Sequence, residues 1–170
     1  MGVLDDWTRD GVYYESMGAR LMAKATWLTV PLVRAQVTYR DQHETLPLGE
    51  PAQLIGASKQ GESESIRFFL AVHTPEWEWN HLERGEAAVF RVRLRTSDGV
   101  EREPSQIHRV ANDPRFHFLY PYLVPLWIGY EVRFPAVVDG NAFTPQAGST
   151  VTLLLTGTPG HLTLDWHVDR

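Results

Sequence analysis

The chain contains no cysteine among its 170 residues. Disulfides, zinc–thiolate sites and cysteine nucleophiles are therefore excluded. Lysine is almost missing as well: of 16 cationic residues only Lys24 and Lys59 are lysines, and the arginine bias marks no site by itself. The formal net charge of -5 is modest and argues against nucleic acid as a main partner. No apolar stretch reaches the ~18 to 20 residues of a membrane-spanning helix. The opening MGVLDDWTRDG lacks the basic region and apolar core of an export signal. Read as native, it implies a cytoplasmic protein. Read as the start of a chain whose signal has been removed, it implies an exported one, whose lipid-bearing cysteine left with that signal.

Catalytic motifs are scarce too. There is no G-x-S-x-G, no Ser-x-x-Lys and no glycine loop of the phosphate-cradling kinds. His43-Glu44 matches half of the H-E-x-x-H metalloprotease motif, but Pro47 stands where the second histidine belongs. A Ser–His–Asp triad assembled from distant positions leaves no trace in a sequence. The chain thus reads as non-enzymatic, with no cofactor implied.

What is present is a period-2 apolar pattern. Phe90, Val92 and Leu94 alternate with Arg91, Arg93 and Arg95. Tyr130, Val132 and Phe134 alternate with Glu131 and Arg133, and Leu162, Leu164, Trp166 and Val168 with Thr163, Asp165 and His167. Successive strand side chains point to opposite faces, so each run has one apolar and one wet face. Such strands bury their apolar face against a second layer. The pattern predicts a mainly β protein: an immunoglobulin-like antiparallel β-sandwich of about seven strands with a short helical N-terminal segment. Phe90, Val92, Leu94, Val132, Phe134, Leu153, Leu164 and Trp166 are its expected core.

The hydrophobic share of 43% supports a folded chain. Residues 1–64 read as a strand, helix and loop segment packed on a sandwich formed by 65–170. Within the first part a strand is expected over 18–28. A helix is expected over 30–42, where a strand also fits. Residues 43–64 hold Pro47, Gly49, Pro51, Gly56 and Gly61 and read as loop, with one helical turn around 52–58. Ser65 to His73 reads as a mid-sheet strand, because Phe69 and Ala71 grease its second face.

TPEWEWNHL after a strand, then PYLVPLWIGYEVRFP, then a closing hairpin ending in LDW, resemble a group of bacterial lipoprotein-type domains. That group combines a helical N-terminal stretch with an immunoglobulin-like sandwich. The similarity covers most of 18–168, its motifs are structural, and it brings no catalytic residues. It implies an exported protein, periplasmic or outer-membrane-associated, tethered at an envelope membrane. The tether requires a lipidated cysteine, which this chain lacks.

Four constellations are candidate sites. On the last strand His161, Asp165, His167 and Asp169 share one face, and imidazole with carboxylate is a transition-metal ligand set. The plainer account is a solvated strand face, and no metal is expected. His73, Glu76, Glu78 and His81 mix the same groups in a loop, where Trp77 or Trp79 is expected to plug the sandwich end. Arg91, Arg93 and Arg95 form a cationic stripe that either meets an acidic partner or headgroup, or pairs across strands with Glu101, Glu103 or Glu131. Finally, the proline-broken run FHFLYPYLVPLW either folds back over the core or forms an exposed apolar patch. In the second case Tyr120, Tyr122, Leu123 and Trp127 would contact an envelope protein partner. The best reading is a non-enzymatic envelope interaction or structural module. Its alternative is a small periplasmic ligand- or metal-binding protein using the C-terminal His/Asp face.

Overall fold

The structure is a computed structural model that describes residues 2–168. Two antiparallel sheets pack face to face. The first has the order β1 (Thr8–Glu15), β2 (Gly18–Trp27), β3 (Ser65–His73), β7 (Ile128–Pro135), β6 (Gln106–Arg109). The second has the order β11 (Gly160–His167), β10 (Thr150–Gly157), β4 (Phe90–Thr96), β5 (Glu101–Arg102). A small ribbon, β8 (Val137–Val138) with β9 (Asn141–Ala142), closes one end. This is the sandwich the alternation implies, with eleven strands among the described residues rather than about seven.

The alternation fixes which face is buried. Leu21, Ala23 and Ala25 of β2, Phe68 and Leu70 of β3, Tyr130, Val132 and Phe134 of β7, Phe90, Val92 and Leu94 of β4, Val151, Leu153 and Leu155 of β10, and Leu164 and Trp166 of β11 meet between the sheets. All eight expected core residues are buried. β3 is the middle strand of its sheet, and its second face is covered too: Phe69 and Ala71 seed a smaller cluster with Tyr120 and Leu123.

The first and last strands seal one edge. Trp166 donates its indole N–H to the Trp7 carbonyl at 2.7 Å, and Arg9 donates Nε to the Asp165 carbonyl at 3.0 Å. Gly11 lies against Leu162 and Leu164, and Gly160 lies against the Tyr13 ring, where any Cβ would collide. Residues 8–27 are therefore two strands of the sandwich, and the N-terminal part is not a segment merely packed upon it.

The helical part also differs from expectation. Helix α1 (Gly2–Asp6) precedes β1. Helix α2 (Val30–Glu44) matches the expected helix over 30–42. Helix α3 (Glu50–Glu64) occupies what reads as loop. Its two glycines disfavour helix, by ~1 kcal/mol each relative to alanine, and only Ser58 on it is buried, so no apolar stripe announces it. Packing against α2 overrides that weak local preference, and Pro51 sits in the first turn, where no N–H is missed. The helices α2 and α3 form a hairpin between two neighbouring strands, β2 and β3, rather than a segment ahead of the sandwich. A fourth helix, α4 (Pro114–Leu119), begins on an Asp113 cap that accepts from the Arg115 N–H at 2.8 Å.

Candidate functional site

The proline-broken run folds back. Tyr120 stacks on Phe69 with ring centroids 3.7 Å apart and planes 2° from parallel, and Phe116 stacks on Phe69 from 5.7 Å. The Tyr122 hydroxyl lies 2.6 Å from Thr26 Oγ1. Burial pushes both the Tyr120 and Tyr122 hydroxyls well above their ordinary range of titration. Tyr120 and Leu123 are buried, and Tyr122 and Trp127 are half-buried. The expected contact patch of Tyr120, Tyr122, Leu123 and Trp127 is thus corrected: Tyr120, Tyr122 and Leu123 roof the first sheet. The cause is the apolar outer face of β3, where Phe69 and Ala71 need cover.

The fold-back leaves other residues of the same run outside. Val124 is exposed, and Leu126 is 83% exposed with φ of 74°. That left-handed backbone is unusual for a residue with a γ-branched side chain. The Leu126 carbonyl sits 3.2 Å from His73 Nδ1, and the His73 ring stacks 6.0 Å from Trp127.

Strand register brings two further loops to this end. The β1–β2 turn is Ser16-Met17, with Glu15 opposite Gly18, Ser16 at φ 56°, and Met17 fully exposed beside Tyr14. Arg20, next along β2 and paired with Glu15 at 3.1 Å, lies 6.0 Å from the Trp79 ring. Trp79 packs on Phe90 and so plugs the sandwich end as expected, whereas Trp77 is 68% exposed. Three loops therefore carry Met17, Trp77 and Leu126 outward at one end, and Tyr14 and Val124 on the same segments are exposed as well. Between positions 76 and 86 the chain carries Glu76, Glu78, Glu83 and Glu86 against Arg84, with Glu83 held by His81 at 3.1 Å and Arg109 at 3.9 Å. The sequence holds one hint of Met17, a Ser-Met-Gly turn, but it is recognisable only once β1 is seen as a strand.

The remaining candidates resolve into structural pairs. On β11, Asp165 Oδ1 accepts from Thr152 Oγ1 at 2.5 Å, His167 Nδ1 is 3.2 Å from Thr150 Oγ1, and His161 lies 5.1 Å from the Tyr13 ring. Asp165 and His167 are tied to their cross-strand neighbours on β10, and His161 to a ring of the facing sheet. Asp169 lies outside the described residues. Among the described residues no three His, Asp or Glu side chains gather as a metal set. His73 and His81 face different partners: His81 is buried, with Nδ1 3.1 Å from Glu83 Oε1 and the Trp77 indole 5.2 Å away. The arginine stripe pairs across strands: Arg93 with Glu103 at 3.2 Å, and Arg95 with Glu101 at 2.6 Å. Glu131 sits on the other sheet.

One charged group escapes sequence reading. Arg102 is buried, and it pairs with Asp98 at 3.0 Å and with Thr96, beneath the Phe143 ring. Partial desolvation pushes the Asp98 carboxyl up, but hydrogen bonds from Arg102, Thr96 and the Val100 N–H outweigh it, leaving it at about 2. This pair staples the β4–β5 turn: the guanidinium is buried and its hydrogen bonds all lie within that turn, while Asp98 keeps one side in water. Comparison of the chain with protein-family models, curated proteins and solved structures finds no match.

Proposed function

We propose that this protein is a non-enzymatic interaction module of the cell envelope that grips a protein partner with its apolar loop end. The observation that carries the reading is that three loops at that end each expose a large apolar side chain, Met17, Trp77 and Leu126, every one more than two thirds exposed. An isolated exposed apolar side chain is ordinary, but several on one rim mark contact sites. Trp and Met are favoured in interface cores, where a few such anchors supply most of the binding energy. The surplus of carboxylates in the 76–86 segment favours a partner that is basic as well as apolar. The resemblance to lipoprotein-type domains supports the envelope, periplasmic or outer-membrane-associated, as the setting. A cysteine-free chain also forms no unwanted disulfides there.

Site-directed photo-crosslinking in producing cells tests the reading. A photoreactive residue at Leu126 or Trp77 should trap the same discrete protein, and one at Lys59 on α3 should not. Equal adducts from all three positions, or lipid adducts alone, would overturn the proposal.

A further inference from the structure

The helical side of the molecule carries a second concave feature, remote from the loop end and independent of the interaction reading. A cleft of about 500 Å³ lies between α1, α2 and α4. Its size falls within the range of small-ligand sites, ~300 to 1,000 Å³. Leu4, Leu32, Ala35, Phe118 and Leu119 give it an apolar floor. Tyr39, half-exposed, forms one wall, stacked 4.9 Å from Phe118 with His43 behind it at 4.2 Å. The cleft follows α2 from Pro31 to Gln42, about 16 Å at the helical rise of ~1.5 Å per residue. It is thus a trough with length, suited to a chain rather than a compact ring.

Its polar groups are few and of one kind. Arg34 is the only charged side chain lining it, is exposed at the rim, and forms no ion pair among the described residues. An unpaired guanidinium beside apolar surface selects an anionic group. Gln36 adds a donor on the inner wall. Its amide leans on the Tyr120 hydroxyl and opposes the rise that burial causes there. Thr38 and Gln42 continue the polar rim one and two turns beyond Arg34, so the opposite wall stays free for hydrocarbon.

We propose that this cleft binds a free single-chain anionic amphiphile, a carboxylate on an unbranched alkyl chain, with the carboxylate at Arg34 and the chain along α2 over Leu32, Ala35 and Tyr39. The apolar floor supplies affinity by burying methylene groups, and the single cation sets the direction in which the ligand lies.

Titration calorimetry with monomeric dodecanoate tests it. Saturable one-to-one binding is expected. Arg34→Gln, an exposed change, should weaken binding about tenfold, the loss of one charge-assisted contact. Dodecanol should bind the wild type and the Gln variant equally. Ala35→Trp should fill the trough and abolish binding, with circular dichroism confirming that the variant is folded. If it is not, the Arg34→Gln and dodecanol comparison decides alone. Absence of saturable dodecanoate binding, or binding that Arg34→Gln leaves unchanged, overturns the proposal. Retention on phosphatidylglycerol vesicles without binding of free dodecanoate overturns it as well, in favour of a membrane surface.

Discussion

The buried Arg102 is the residue on which local electrostatics weighs most. Its guanidinium has no exposure, and Asp98 is its only ionic partner among the described residues. Asp98 is open to water, so its loss strands the buried Arg102 charge at a discounted cost, about 1 to 2 kcal/mol. Asp98→Asn should therefore destabilise the protein by about that much at pH 7, measured by urea unfolding. The sign of the pH dependence follows from the carboxyl at about 2, against an ordinary unfolded value of ~3.9. A lowered native value means that the unfolded state binds more protons in between, so stability is gained above the upper value. The advantage of the wild type over Asp98→Asn should hold down to about pH 4 and fade as pH falls toward about 2. Nothing in the period-2 pattern announces Arg102. It sits on a two-residue strand, too short for alternation to be read.

At the scale of elements, long strands declare themselves and short or polar elements do not. β4, β7 and β11 each carry an unbroken alternation, which locates the core from Phe90 to Trp166, while β3 and β10 read as strands with apolar residues on the second face as well. β1, TRDGVYYE, carries no alternation because Gly11 must lie flat against β11. The glycine that hides the strand is thus the one that lets the edge close. The contact site is half legible for a related reason. A hydrophobic run signals surface to be buried or surface to be offered, and its composition is the same in both cases. Only the apolar outer face of β3 decides that Tyr120, Tyr122 and Leu123 go inward. Tyr122→Ala should therefore lower the melting temperature by several degrees, because it empties packing over Phe69 and the hydrogen bond to Thr26. Leu126→Ser, on the same segment, should leave melting within about a degree, since that side chain already faces water. Equal effects from the two would mean that the segment does not roof the sheet.

For the whole molecule the governing feature is the edge where β1 meets β11. A Cβ on Gly160 would collide with the Tyr13 ring, which packs against the core from the facing sheet. Gly160→Val should cost about 2 kcal/mol through overpacking, read from the urea midpoint. Gly18→Ala, in open space at the turn, should stay within about 0.5 kcal/mol of the wild type. A destabilisation at Gly18 matching that at Gly160 would show that the cost arises from backbone conformation rather than from the closed edge.

That edge also governs when the protein can finish folding. Arg9 and Asp165 are 156 positions apart, so their contact is among the most non-local in the chain. Non-local contacts form late, because the loop entropy they cost is lost before the contact rewards it. During synthesis β1, β2 and β3 can pair early as a meander, but their open side stays unsealed until β11 leaves the ribosome. Until then the chain is an incomplete sandwich, soft enough to be threaded or captured. Rigidity is thus the last property the sandwich acquires, delivered by the docking of β11 on β1.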